Sequence, residues 1–415
     1  MSWLAIKSFI PARIGASLAL LIVTFQPNFG IVKYGPSPVI PAFFLFVLGI
    51  WYTWKERATL FAEPAQRRWQ IVFLLLFLPV VISAPGSFNP RASFSVAFVL
   101  FLYFFAGVAL LRALRDDSER TWLIKWVSLI LLFWAVDGFL QLLLGSDLFG
   151  IALPANGRVL GPFSENLHLS VLMAFLMPLL FAWLWSHSLL LALAAFVSCG
   201  AIALLSGSRT ALFSLAIVAI GIFLRIPGGR IKVYIIIAIA TVGFVATALS
   251  PVLQERFARF DALYAPTFET IDFLLSYRLT IWDNALNMIA DRPVNGVGAG
   301  AFQEAYAQYS TRPDDYFLQG VTRVYHAHQL YVGVAAETGL TGLAALLAIV
   351  TYCIYWYRRA TPAQRSKAWP FALGLGVYAF PINSQPVLYT QWLFPVLLLL
   401  LAGMLAALDE SERAK

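Results

Sequence analysis

Charge and cysteine are what this sequence has least of. Only 12% of its 415 residues are charged, 60% are hydrophobic, and the mean hydropathy is +0.78. A soluble globular domain carries about a quarter of its residues as charges. That excludes a water-soluble enzyme and leaves an all-α polytopic integral membrane protein. The two cysteines, Cys199 and Cys353, both fall inside apolar runs, which excludes a disulfide framework and a thiolate cluster. Histidine is nearly as scarce, with four in the chain and no HExxH or DxD. No metal site is therefore expected, and no cofactor or nucleic-acid partner is expected either. Two of the four histidines share one stretch, "VYHAHQLYVGVAAETGLTGL", residues 324 to 343.

Apolar runs long enough to cross a bilayer, roughly 17 to 25 residues each, can be read about twelve times. They cover residues 14 to 31, 37 to 54, 70 to 86, 93 to 111, 122 to 144, 167 to 186, 188 to 206, 209 to 225, 231 to 249, 338 to 357, 369 to 386 and 390 to 408. The start, with Lys7 and Arg13 before its apolar run and no small-residue cleavage site, reads as a retained first span. Lysine and arginine collect in cytoplasmic loops. The clusters Lys55 to Arg68, Arg112 to Arg120, Arg225 to Lys232 and Arg358 to Lys367 then put both ends inside.

The expected organisation is nine spans in residues 1–249, a large external loop in 250–326, and three spans with a cytoplasmic tail in 327–415. The loop is too long for a simple connection. Its aromatics, Phe257, Phe260, Trp282, Phe302, Tyr306 and Tyr309, mark it as a folded helical cap.

On the external side the cations are almost all arginine, among them Arg158, Arg209, Arg278, Arg292 and Arg312. Arginine's planar fork suits phosphate better than lysine's ammonium. The other reading is that these arginines pair with Asp283, Asp291 and their acidic neighbours on a wet surface. In "LLSGSRTALFSLAIV", residues 204 to 218, Gly207 breaks the run, Ser206 or Ser208 caps the next helix, and Arg209 opens it. An anion held there would satisfy both the arginine and the helix amides. A snorkelling interfacial arginine is the alternative.

A second amphipathic helix follows Arg278, with Leu279, Trp282, Leu286 and Ile289 on its apolar face and Pro293 ending it. The next residues, "NGVGAG", follow a helix and so read as a tight turn, not a dinucleotide fingerprint. His326 and His328, two residues apart, are expected to point to different sides of a strand or helix, so that only one enters a pocket. A neutral histidine beside an arginine-held phosphate suits a general base, whereas capping or headgroup contact is the plainer role. Glu337 marks a polar cavity or orients a partner. Arg158, Asn166 and His168, in "PANGRVLGPFSENLHLS", are further candidates for the same cavity.

These stretches resemble the O-antigen ligase and polymerase superfamily of polytopic membrane glycosyltransferases, over approximately residues 155 to 345. The resemblance rests on "SGSRTAL", on "RPVNGVGAGAF" and on the histidine motif bounding the long loop. The ligases have histidine, then Asn, Ser or Gln, nine residues, Gly, two residues, and Gly, Thr or Tyr. Here His328 and Gln329 are followed, after nine residues, by Gly339 and then Gly342, which selects His328 over His326.

The resemblance implies a GT-C-like architecture. It also implies metal-independent transfer of O-antigen from undecaprenyl pyrophosphate to the lipid A core, at the periplasmic face of the bacterial inner membrane. It makes His328, Arg209 and Arg278 the catalytic residues, with Arg158, His326, His168 and Glu337 as further substrate-binding candidates. The prenyl tail would lie between apolar helices. An O-antigen polymerase or a protein O-oligosaccharyltransferase would use the same donor. A lipid-linked anion transporter, with Asp137 for proton coupling, is the more distant alternative.

Overall fold

The computed structural model describes residues 3–27, 38–57, 59–163, 168–249, 254, 264, 266–310, 312, 324, 326–382, 384 and 386–409. Among the described residues nine α-helices precede the cap: α1 (Trp3–Thr24), α2 (Val39–Lys55), α3 (Pro64–Ser83), α4 (Pro90–Ala113), α5 (Asp117–Leu144), α6 (His168–Trp185), α7 (Leu189–Leu205), α8 (Arg209–Arg225) and α9 (Gly229–Leu249). The cap contributes α10 (Phe268–Leu274), α11 (Arg278–Asp291) and α12 (Phe302–Tyr309). The chain then closes with α13 (Leu330–Arg359), α14 (Pro362–Ala379) and α15 (Phe394–Leu408). Among the described residues there is no strand, only one isolated bridge between Ser146 and Ala152.

A helix stands at each position where a span was expected. Five of them, α3, α4, α5, α6 and α13, are long and apolar enough to cross a membrane, and several others are shorter apolar helices. This is a multi-pass membrane protein. Several boundaries differ from the sequence reading, α1 beginning at Trp3 where the run was read from 14, and two further starts have a visible cause. The helix expected from 338 begins at Leu330, and the one expected from 369 begins at Pro362. Polar caps moved both starts: the Gln329 side chain caps Val332 at 2.6 Å, and Thr361 with Gln364 forms a capping box. Hydropathy does not register a cap.

In lipid, helix association comes from close packing, because the surroundings are as apolar as the side chains. α6 shows this: every residue from Leu169 to Phe181 is buried, with α5, α7, α8 and α14 around it. α2 and α4 approach so closely that a Cβ on Gly49 would lie 1.9 Å from the Phe105 carbonyl.

The cap has a small core of its own, in which Ile281, Ala285, Met288, Phe302, Ala305 and Tyr306 pack with Ala327 and Ala336. The buried face of α11 is therefore not the expected one. Thr280, Ile281, Asn284, Ala285 and Met288 are inside, while Leu286 is 56% exposed. Small residues at the contact let α11 lie close to α13, which displaces the larger ones to its flanks. Phe257 and Phe260 lie outside the described residues.

Candidate functional site

The cap is joined to α13 at a break in that helix. Gly339, at φ 68° and ψ −171°, interrupts α13, and residues 293–300 cross the gap. The Val297 amide donates to the Ala336 carbonyl at 2.9 Å, Gly298 donates to Glu337 at 2.9 Å, and Leu340 donates back to Pro293 at 2.7 Å. The break thus exposes backbone groups and the "NGVGAG" turn satisfies them. A Cβ on Gly339 would lie 2.1 Å from the Val294 carbonyl oxygen, so no other residue fits. On its far flank the turn is held by the loop between α3 and α4: Phe88 donates to Val297 at 2.9 Å, and the Ser93 hydroxyl to Ala299 at 2.7 Å.

Glu337 sits inside this joint, 2% exposed. Its carboxylate accepts the Gly300 amide at 2.6 Å and the Tyr389 hydroxyl. It holds the turn against α13.

Asp272, at the end of α10, positions Arg278. Ser276 and Tyr277 both take left-handed backbone, φ 59° and 60°, and this reversal turns the buried Asp272 carboxylate onto the start of α11. The carboxylate accepts the amides of Leu279 at 2.8 Å and Thr280 at 3.3 Å, and the Thr280 hydroxyl at 2.5 Å. Arg278 is the first residue of the helix so capped.

From the next turn of α11, Trp282 donates its indole N–H to the Ala327 carbonyl at 2.9 Å, fixing the residue between the two histidines. The rings of His326 and His328 lie together, with centroids 4.1 Å apart. This corrects the expectation that they face opposite sides. His328 has φ 50°, and a residue in the left-handed region follows neither the strand nor the helix period. Such backbone is uncommon for a residue with a side chain and is a feature of functional sites.

Burial, reinforced by the positive charge of Arg278, holds His326 down to about 4. Burial, His326 and Arg278 together hold His328 down to about 3. Both rings are therefore neutral at pH 7, and a proton on one opposes a proton on the other. Gln329 locks the register by capping α13 and donating to the Pro381 carbonyl at 2.8 Å.

The other candidates sit elsewhere. Arg209 opens α8, where the Ser208 hydroxyl accepts the Ala211 amide at 3.4 Å; the Arg209 side chain lies outside the described residues. The His168 ring stacks on Trp392, with centroids 3.8 Å apart. Arg158 is half-buried in the loop after α5. That loop is tied down by Gln141, which accepts the amides of Leu160 and Gly161 at 2.8 and 2.9 Å, and by Asp137, which accepts Leu148 at 2.9 Å. Among the described residues no contact joins His168 or Arg158 to the histidine pair, and Asn166 lies outside them. Arg312 pairs with Asp283 at 3.2 Å, and Arg292 with Asp291 at 3.7 Å, the surface pairing that the sequence left open.

One fixed cation beside two neutral imidazoles can bind an anion and accept a proton next to it. The residues that build this arrangement fall within one family match: the O-antigen ligase family covers residues 193–347. The match runs from α7 through the cap to just past the break in α13, and takes in Arg209, Arg278, His326, His328 and Glu337. That match supports membership of the O-antigen ligase and polymerase superfamily. No curated protein matches it.

Proposed function

We propose that the protein is an O-antigen ligase. It transfers O-antigen polysaccharide from undecaprenyl pyrophosphate to a hydroxyl of the lipid A core oligosaccharide. The observation that carries this reading is the junction of Arg278 with the paired, neutral histidines inside the region matched by the family. We read it as a protein of the bacterial inner membrane, with about twelve spans in a GT-C-like arrangement. Residues 1–249 and 327–415 hold the spans, residues 250–326 form the periplasmic cap, and both ends are cytoplasmic.

In this mechanism Arg278 and Arg209 hold the donor pyrophosphate. A bidentate guanidinium suits its oxygens, and the first-turn amides of α8 add further donors. One ring nitrogen of His328 takes the proton from the acceptor hydroxyl. The hydroxyl oxygen attacks the anomeric carbon from the face opposite the pyrophosphate, the carbon–oxygen bond to phosphate breaks, and undecaprenyl pyrophosphate leaves with the electron pair. The anomeric configuration inverts.

An imidazole held near 3 is a weak base, and donor binding lessens that handicap. The pyrophosphate charge offsets Arg278 and favours the imidazolium, so the base strengthens only when there is a donor to attack. His326, Arg158, His168 and Glu337 are assigned supporting places, Glu337 through the turn it holds.

The test is transfer between two purified glycolipids by the purified protein in detergent, without any ion gradient. Polymer appearing on lipid A core is the expected result. Lengthening of the donor polymer would make the protein a polymerase, and labelling of a protein acceptor would make it an oligosaccharyltransferase. No transfer at all would favour a transporter.

A further inference from the structure

A cleft of about 860 Å³ lies between α3, α8, α13, α14 and α15. One end reaches Leu330, Tyr331 and Pro381, next to the histidine stretch; the other carries Arg225, Arg358 and Arg365. Leu330 and Arg358 lie near opposite ends of α13, at most about 42 Å apart at the rise of a helix, since Gly339 breaks it between them. The walls between are apolar.

Several other cations on the same face have carboxylate partners, although Lys55 and Arg359 lie over aromatic rings instead. Arg13 pairs with Glu119 at 2.9 Å, Arg112 with Glu56 at 3.0 Å, Arg115 with Glu63 at 3.0 Å and Lys367 with Asp117 at 2.9 Å. Among the described residues, Arg225, Arg358 and Arg365 have no carboxylate within 4.0 Å. Arg225 instead donates to the Ser366 hydroxyl at 3.2 Å and lies over the Trp369 ring at 4.9 Å. Tyr357 lines the same cleft, close to both Arg225 and Arg365. Two of the walls, Leu224 and Ile354, are 73% and 48% exposed, so the cleft opens sideways to lipid.

We infer that this cleft holds one anionic phospholipid from the leaflet that meets the basic face. Its phosphate lies on Arg225, Arg358 and Arg365, and its acyl chains lie along the apolar walls. Arginine forks and a tyrosine hydroxyl match phosphate oxygens. A prenyl chain entering from the histidine end would fill the walls but bring no charge to the three arginines. The site does not depend on the reaction assigned above, and its loss would leave that assignment standing.

The experiment uses the full chain in nanodiscs holding equal amounts of phosphatidylglycerol and phosphatidylethanolamine, with retained lipid counted by native mass spectrometry. The wild type should keep phosphatidylglycerol in preference by roughly fivefold or more, the effect of one basic residue near an anionic surface. Arg225→Gln with Arg365→Gln should abolish the preference, and the two lysine replacements should keep much of it. Gly376→Phe adds bulk to the cleft at a place where a Cβ meets nothing within 4 Å. It should lower retention of the lipid with the arginines intact. Equal retention of both headgroups by the wild type would overturn the inference, as would a preference unmoved by the glutamines. A polyprenyl lipid displacing phosphatidylglycerol would assign the cleft to the donor's chain instead.

Discussion

α8 and α11 both open with an arginine, and the two openings differ in what occupies the helix end. At α8 the cap is the neutral Ser208 hydroxyl, accepting one amide at 3.4 Å. At α11 it is the buried Asp272 carboxylate, accepting two amides and a hydroxyl. The anion position of α11 is filled from within the chain, so in the proposed mechanism Arg278 meets the donor pyrophosphate by its side chain without that helix's amides, and its charge also bears on the histidines. The neutral cap of α8 adds no charge of its own, as the anion site proposed there requires. One local pattern, arginine in the first turn after a break, therefore builds two different devices, and the residue that decides lies outside the pattern.

The largest expected effect that separates the two is on turnover. Replacing Arg278 or Arg209 by glutamine should each lower kcat by about 10²- to 10³-fold, the usual cost of one lost electrostatic donor. Their pH profiles should then part. Arg278 disfavours protonation of both histidines, so its removal raises their pKa values, and the acid limb of the rate profile moves to higher pH. Arg209→Gln should leave that limb in place. A shift of equal size in both variants would break the distinction.

A smaller effect is expected on assembly. Gly339→Ala forces a Cβ onto the Val294 carbonyl and a left-handed backbone. It should cost at least about 1 to 3 kcal/mol from backbone strain alone, read as a lowered unfolding midpoint together with lost transfer. Smaller again, Asp272→Ala leaves amides and a hydroxyl unsatisfied and should cost about 1 to 3 kcal/mol. Ser208→Ala should cost about 0.5 to 1 kcal/mol. Thermal unfolding of the two variants side by side reads the difference, and equal losses would show that the two caps are equivalent.

Acidification should weaken the fold by a related route. Histidines held near 3 and 4 bind protons more readily in the unfolded chain, where the ordinary value is about 6.5. Stability is therefore complete above that value and falls as pH drops towards 4 and below.

Much of this was legible in the sequence. Hydropathy located the helices, Gly207 and Ser208 located the start of α8, and Pro293 the end of α11. "NGVGAG" read correctly as a turn, but what it turns against was hidden. Gly339 looked like one glycine of a motif inside an apolar run, and its role as a helix break appears only when residues 293–300 lie across it. Asp272 carried no local signal, because two left-handed residues separate it from the helix it caps. The pairing of His326 with His328 was misread for the same reason: a single positive φ changes which side chains meet, and side-chain periodicity assumes there is none. The motif position after the histidine, Asn, Ser or Gln in the family, gains a physical meaning here, since Gln329 caps α13.

The claim that one neutral histidine is the base is tested most directly by the initial rate of transfer from lipid-linked O-antigen to purified lipid A core. Wild type, His328→Ala and His326→Ala would be compared with a metal chelator present throughout. The account predicts a loss of about 10²- to 10⁴-fold for His328→Ala, the range for a general base, with most of the rate kept in His326→Ala and no effect of the chelator. Loss confined to His326→Ala, or full transfer by His328→Ala, would contradict it.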